Sequence, residues 1–279
     1  MDLLAWYLLP LLPLTLWLLT ANLTPSFPTL RGKRILLLIA HPDDEAMFFS
    51  PSVLALTTPH LGNHLKILCL STGNADGLGS IRRQELVKSG LLLGVRNESD
   101  VLVLDDERFP DSMTKTWEEG AIVDLLTKTF VPELGKAKRD GPVKAGIDVL
   151  ITFDEQGVSS HPNHISLYHG AKSFVRTLVK GREGWDAAVK LYVLPSLGVA
   201  RKYASILDVP ITVVARLLSK KKGGEYPDPL LTISGVGRYR SGQRAMTEAH
   251  KSQMRWFRWG WIGISRYMVV NDLRREDVK

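Results

Sequence analysis

Cysteine is almost absent from this chain of 279 residues: Cys69 stands alone, so no intramolecular disulfide can brace the fold. A single thiol suits a reducing compartment. Cys69 falls within the apolar run Leu65 to Leu70, a setting that reads as a small buried hydrophobe rather than a reactive group. Also missing are a basic stripe interleaved with aromatics and any motif of nucleic-acid-binding spacing. Their absence argues against nucleic acid as a partner, despite a formal net charge of +7. That charge leaves an anionic membrane or an acidic substrate open. There is no internal repeat. With 44% hydrophobic and 23% charged residues the chain should bury a core, and its length allows one large domain with appendages.

Charge is absent from Leu3 to Thr20, which reads LLAWYLLPLLPLTLWLLT. A helix of that length reaches roughly 27 Å at about 1.5 Å per residue, near the thickness of a hydrocarbon core. Trp6, Tyr7 and Trp17 suit positions nearer the interfaces, and the bends expected at Pro10 and Pro13 are tolerated in lipid. A cleaved signal peptide would need basic residues ahead of the apolar run and small residues at a cleavage site. Here the leading flank carries Asp2 and no Lys or Arg, and Leu19 stands two positions before Ala21. We therefore expect a membrane anchor over residues 1–21 and a linker over 22–33. Arg31, Lys33 and Arg34 follow the span, so the positive-inside rule puts the bulk of the protein in the cytoplasm.

From Arg34 onward apolar runs suited to strands alternate with helical patterns. Strands are expected at Arg34–Ala40, Leu65–Ser71, Val101–Leu104, Ile147–Phe153 and Val189–Leu194. Helices are expected at Asp43–Thr58 with a break near Pro51, at Ile81–Leu93 capped by Ser80, at Thr116–Val131 and at His161–Val179. This alternation indicates an α/β fold with a mostly parallel sheet covered by helices on both faces. Beyond Leu197 the pattern loosens. Ile211–Leu218 reads as an edge strand and Gly237–Trp256 as a long helix leading into an aromatic tail. The expected domain runs over 34–235 and the helix and tail over 236–279.

In such folds ligands bind beyond the carboxyl ends of the strands. Polar clusters sit at four of those ends. His41-Pro-Asp43-Asp44-Glu45 follows the first strand, Asn74 and Asp76 the second, Asp105 to Glu107 the third, and Asp154 to His164 the fourth. Three ligands of the His/Asp type with one open position make a hydrolytic metal site. His41 and Asp44, three apart at a strand-to-helix junction, can both address one ion, and His164 supplies a third ligand. A divalent metal held this way makes a nucleophile of water at neutral pH by lowering its pKa from about 15.7 toward 7. Asp43 is then the candidate general base, and His161 the group that polarises the acetyl oxygen or protonates the leaving amine. Asn163, between the two histidines of H-P-N-H, could hold either neighbour and is also a candidate substrate contact. Capping of a helix N-terminus would account for one or two of these acids but for neither histidine.

The H-P-D-D-E segment after the first strand, with a later H-P-x-H after Asp148-Val-Leu-Ile-Thr-Phe-Asp154, resembles the PIG-L/LmbE family of zinc-dependent N-deacetylases. The resemblance implies zinc on His41, Asp44 and His164, with Asp43 as base, in agreement with the chemistry above. Gly73-Asn74 followed by Arg82-Arg-Gln-Glu-Leu86 is similar to a family segment whose arginine faces the substrate, which makes Arg82 and Asn74 candidate substrate contacts. His250-Lys-Ser-Gln-Met-Arg-Trp256-Phe-Arg258 with Ser265-Arg-Tyr-Met268 resembles the eukaryotic branch, and adds His250 to those contacts. That branch implies a GlcNAc-phosphatidylinositol substrate, a step in GPI-anchor biosynthesis, and the cytoplasmic face of the endoplasmic reticulum membrane. Asn163 departs from the Asp of many bacterial relatives; an amide cannot relay a proton, so more of the acid role falls to His161. A binding protein that had merely kept the fold should have lost a ligand or the base, and all four residues are present. Arg255 to Tyr267 gathers three tryptophans and three arginines, a mixture suited to the headgroup region of a bilayer.

Overall fold

The computed structural model describes residues 11–136, 141, 143–182, 185–218 and 224–278. The first ten residues of the expected anchor and the Lys220–Lys222 run lie outside the described residues. A helix α1 (Leu11–Leu23) precedes strand β1 (Arg34–Ile39), followed by α2 (Asp44–Met47), α3 (Ser50–Leu56), β2 (His64–Cys69), α4 (Gly79–Leu92) and β3 (Val101–Val103). Next come α5 (Glu119–Phe130), β4 (Val149–Phe153), α6 (Pro162–Val179), β5 (Lys190–Leu194), α7 (Val199–Lys202) and α8 (Asp208–Leu218). Strand β6 (Leu230–Ile233), α9 (Val236–Arg244), α10 (Trp256–Ile264) and β7 (Val270–Glu276) complete the order.

The seven strands form one sheet in the order β3-β2-β1-β4-β5-β7-β6. The first five run parallel, with Ile35 opposite Leu65 on one side and Val149 on the other. Strand β7 is antiparallel to both of its neighbours. Helices cover both faces, so β1 and β4 can be apolar at nearly every position instead of alternating. Between β1 and β4 the strand order reverses direction, which opens a crevice beyond their carboxyl ends. The two histidine motifs follow β1 and β4.

The expected break at Pro51 is real: the helix stops at Met47 and restarts at Ser50, with the proline in the first turn where its missing N–H costs nothing. Ser80, expected to cap α4, sits inside it instead. Leu78 holds the N-cap position without a side-chain hydrogen bond, and Asn74 Oδ1 accepts the Gly79 N–H at 2.9 Å.

Three expectations for the second half are corrected. Ile211–Leu218 is not an edge strand but most of α8. Its β-branched residues favour extended structure, yet Val209, Thr212 and Val213 bury one helical face and Thr212 hydrogen-bonds the Asp208 carboxylate at 2.9 Å. The long helix expected over Gly237–Trp256 ends at Arg244; a π turn over Ala245–Ala249 and a 3-10 turn over Lys251–Gln253 intervene before α10. The tail is not an appendage, because β7 lies between β5 and β6 and belongs to the sheet. Arg266 is fully buried there, with Nε 2.7 Å from Asp208 and an Nη 2.9 Å from Asp272. Arg266→Ala strips buried carboxylates of their partner and should cost roughly 3 kcal/mol, the low end for a broken buried pair since Arg201 still holds Asp208. Thermal unfolding in mild detergent reads this; an unchanged midpoint would refute it.

Among the described residues no helix is long and apolar enough to cross a membrane. Within α1, Trp17 does not sit as an interfacial ring should. It is buried against the domain, with Nε1 donating to the Ser234 carbonyl at 2.8 Å and its ring edge-on to Tyr239. Most leucines of α1 point outward.

Candidate active site

The turn after β1 is built around Asp44. Its Oδ2 accepts the backbone N–H groups of Ala40 and His41 at 3.0 and 2.9 Å, which leaves Oδ1 facing His164 Nε2 at 3.2 Å. Asp43 takes a φ of 121°, rare for a residue with a side chain and costing of order 1–3 kcal/mol. The strain is held by Glu45, whose Oε2 accepts the Asp43 N–H at 3.1 Å. Glu45 is itself fully buried and accepts from Ser89 and, at 2.7 Å, from His250 Nε2.

The second motif folds back onto the first. His161 caps α6, its Nδ1 accepting the Asn163 N–H at 3.2 Å. The His164 ring stacks on Phe153 with centroids 3.9 Å apart, and its Nδ1–H donates to the Gly157 carbonyl at 3.0 Å. A side chain at Gly157 (φ +62°) would meet the His164 Cβ at 2.9 Å, so glycine lets this turn close over the histidine. Donor atoms of His41, His161 and His164 all lie within 4.8 Å of one another.

His41, Asp44 and His164 make a donor set that fits a divalent cation, with His161 beside them and Asp44 Oδ1 3.2 Å from His164 Nε2. With its proton fixed on Nδ1, His164 directs the lone pair of Nε2 inward, and that buried atom has no hydrogen-bond partner among the described residues. His41 Nε2 donates to Asn163 Oδ1 at 3.1 Å and lies 3.2 Å from Asp111, so Nδ1 is its remaining ligand atom. Burial works against a charge on either of Asp44 and His41. Even so, His164 and His41 hold the Asp44 carboxyl well below the usual range. Burial likewise lowers the His41 pKa, but Asp111 and Asp44 outweigh it and raise the net value. A proton and a cation compete for such a nitrogen. His161 is pushed down to about 4, by burial first and then by the other two histidines. It is therefore neutral at pH 7.

These groups floor a cleft of about 680 Å³ walled by α10 and by Tyr203. Arg82 lines it, where a Cβ at Gly73 (φ +65°) would strike its guanidinium; its Nη atoms reach the Gly73 carbonyl and Gln253. The other three candidate substrate contacts do not line this cleft. Asn74 is exposed beside a neighbouring hollow with Asp105, Asp106 and Glu107. Asn163 is fully buried and serves the histidines, with Nδ2 on the Lys115 carbonyl and Oδ1 on His41 and the Ser112 N–H. His250 is fully buried between Glu45 and Gln253, supporting the Asp43 turn from behind. Cys69 is buried, as expected.

Two residues at the cleft escaped the reading of the sequence. Asp111 bridges His41 and Arg82, and its carboxyl is held down chiefly by the hydrogen bond to His41. Arg258, expected among lipid phosphates, turns inward from α10 and pairs with the Asp43 carboxylate. Burial lowers its guanidinium to about 10. Asp111 belongs to no motif, and although Arg258 closes the tail segment that begins at His250, nothing local in that segment marks its inward turn.

Residues 36–175 match the family model described as PIG-L: GlcNAc-PI de-N-acetylase. A protein of Arthroderma benhamiae named N-acetylglucosaminyl-phosphatidylinositol de-N-acetylase is 48% identical over 320 aligned positions, covering 96% of each chain. The Bos taurus protein of the same name is 35% identical and covers 87% of this chain and 83% of its own. Among solved structures, the N,N'-diacetylchitobiose deacetylase of Pyrococcus horikoshii aligns with a TM-score of 0.53 at 16% identity. It covers 88% of this chain and 84% of that one, a likeness of fold.

Proposed function

The chain belongs to the PIG-L family of GlcNAc-PI de-N-acetylases, and from that premise we propose that it hydrolyses the acetamide of N-acetylglucosaminyl-phosphatidylinositol to the free amine and acetate. The observation that carries the reading is the convergence of His41, His161 and His164 within 4.8 Å, beside Asp43 and Asp44 on a cleft floor. His41, Asp44 and His164 are the proposed ligands, and zinc the proposed metal. When bound, a divalent cation supplies Lewis acidity and makes water a nucleophile at neutral pH.

The chain's own groups then divide the proton work. Asp43 takes the proton from attacking water, its carboxylate oriented by the strained turn that Glu45 supports. Neutral His161, whose Nδ1 accepts from Asn163, carries its hydrogen on Nε2. That tautomer makes it a hydrogen-bond donor to the acetyl oxygen rather than a ligand, and the proton that Asp43 takes from water is the one passed to the departing nitrogen. Arg82 is a fixed cation on the cleft wall for the polar part of the substrate. The direct test incubates purified membranes with labelled GlcNAc-phosphatidylinositol, with and without chelator. Chelator-sensitive release of acetate is expected; release that ignores the chelator would sink the metal-dependent reading.

The proposed setting is the endoplasmic reticulum membrane with the domain facing the cytoplasm. The support is the charge-free run before residue 21 and the basic residues that follow it. Asn97-Glu-Ser99 is a formal glycosylation sequon, and Asn97 is exposed. A cytoplasmic domain leaves it unmodified, so N-glycosidase should not change the gel mobility. A shift that vanishes in Asn97→Gln would place the domain in the lumen.

The rings of α10 divide. Trp256 and Trp259 stand exposed, whereas Trp261 packs on Phe48 and Tyr267 with Nε1 on the Met47 carbonyl. Trp256 and Trp259 are therefore the proposed interfacial anchors. Replacing Trp259, which does not line the cleft, by Ser should lower turnover of bilayer-embedded substrate several-fold and spare a short-chain, water-soluble analogue. Equal loss on both substrates would assign that ring to the core.

A further inference from the structure

Helix α8 is apolar on its inner face and apolar again on its outer one. Val209 and Val213 are buried against the domain. Leu207, just ahead of the helix, then Ile211, Val214 and Leu218 recur at spacings of four, three and four, one stripe of a 3.6-residue helix. All face outward, at 57%, 57%, 53% and 78% exposure. A surface helix of a soluble domain normally turns charge to that side; one apolar all round belongs in a core or in lipid.

The stripe does not stand alone. Helix α1 packs against α8 and against the turn Ser205–Leu207, and its Leu12, Leu19 and Leu23 are exposed. Tyr203 meets Trp261 of α10 edge-on, centroids 5.9 Å apart. These contacts join α1, the segment 199–218 and α10 into one apolar surface. Tyr203, Trp256 and Phe257 belong both to that surface and to the wall of the catalytic cleft. The cleft mouth therefore borders it.

We propose that the segment 199–218 is a second membrane contact of the catalytic domain, with the outer face of α8 lying at the headgroup–acyl boundary beside α1. The proposal rests on the reading of the substrate as a glycolipid. A bilayer is the occupant that the neighbours specify. The ten residues leading into α1, MDLLAWYLLP, carry a single charged side chain. The chain leaving α8 runs into Lys220, Lys221 and Lys222, a cationic flank suited to anionic headgroups. With α1, α8 and α10 all engaged, the domain cannot tilt about a single tether, and its cleft is held open toward the plane where the sugar sits.

The test places a polarity-sensitive fluorophore on Ile211→Cys or Leu218→Cys, with Lys128→Cys on α5 as control, in the full chain reconstituted in phosphatidylcholine vesicles containing phosphatidylserine. Cys69 is buried and does not compete for the label. Probes at 211 and 218 should shift to the blue and be quenched by spin-labelled lipids, and the probe at 128 should do neither. Water-like emission at 211 and 218 would overturn the proposal. A blue shift without lipid quenching would do the same, since the face would then be covered by residues 1–10 or by a second copy. Ile211→Glu combined with Val214→Glu should cut turnover of bilayer-embedded substrate by about tenfold and leave a soluble analogue unchanged. Equal loss on both would mark a folding defect and refute the membrane role. Quenching is read without turnover, so a chain that released no acetate would overturn the deacetylase reading and leave this result to stand on its own.

Discussion

His164→Ala is expected to lose bound metal and turnover together, with activity falling to the level of the chelated enzyme. The reason lies in how completely that ring is committed. Its proton is fixed on Nδ1 by the Gly157 carbonyl, its plane is set by stacking on Phe153, and Nε2 is left buried with no hydrogen bond. Neither of the other two imidazoles is free to supply the missing lone pair, because His161 uses Nδ1 to cap α6 and His41 has its Nε2 engaged by Asn163 and Asp111. His41→Ala and Asp44→Ala should behave alike, with Asp44 adding a defect in the turn whose N–H groups it accepts. Metal analysis of the purified variants decides the point. Full occupancy in His164→Ala would overturn the ligand set, even if activity were gone.

Asp43→Asn separates the base from the ligands. It should keep the metal and lose roughly 10²–10⁴-fold in turnover, the usual contribution of a general base. The amide is the right probe because Asn tolerates positive φ as Asp does, so the strained backbone at 121° is not penalised anew. A complication follows from Arg258, whose buried guanidinium pairs with this carboxylate. Removing the negative charge leaves that cation unpaired, so Asp43→Asn should also unfold at lower temperature. Adding Arg258→Met should recover thermal stability without recovering turnover. Near-normal turnover in the single variant would place the base elsewhere. Recovery of activity in the double variant would show that the unpaired arginine, rather than the lost base, was the lesion.

The central half of the fold was legible because its signals are local. Strands β1 and β4 are buried on both faces and announce themselves as unbroken apolar runs, and the ligands follow each strand within a few residues. Strands β6 and β7 left no comparable trace. They are short or mixed in polarity and exist by virtue of pairing with each other across a gap of some forty residues of sequence. Helix α8 was misread because Ile211, Val213 and Val214 favour extended structure in isolation, while its packing against α1 joins segments almost two hundred residues apart. The same distance hid the supports of the site. Glu45 meets His250 and Asp43 meets Arg258 across more than two hundred residues, so the buried role of His250 and the inward turn of Arg258 appear only once the chain is folded.

The place of β7 between β5 and β6 has a consequence for how the protein is made. Synthesis delivers β6 well before β7, the one strand it pairs with, and the far half of the sheet stays open until residues 270–276 leave the ribosome. Trp17, among the first residues made, binds the carbonyl of Ser234 at the end of β6, so the seat of the earliest helix is finished by one of the latest strands. During that interval α1 and the apolar outer face of α8 are both without their final surroundings. A nascent chain of this kind depends on something holding those faces, and a messenger truncated shortly before codon 270 should yield a product for degradation rather than a slow enzyme.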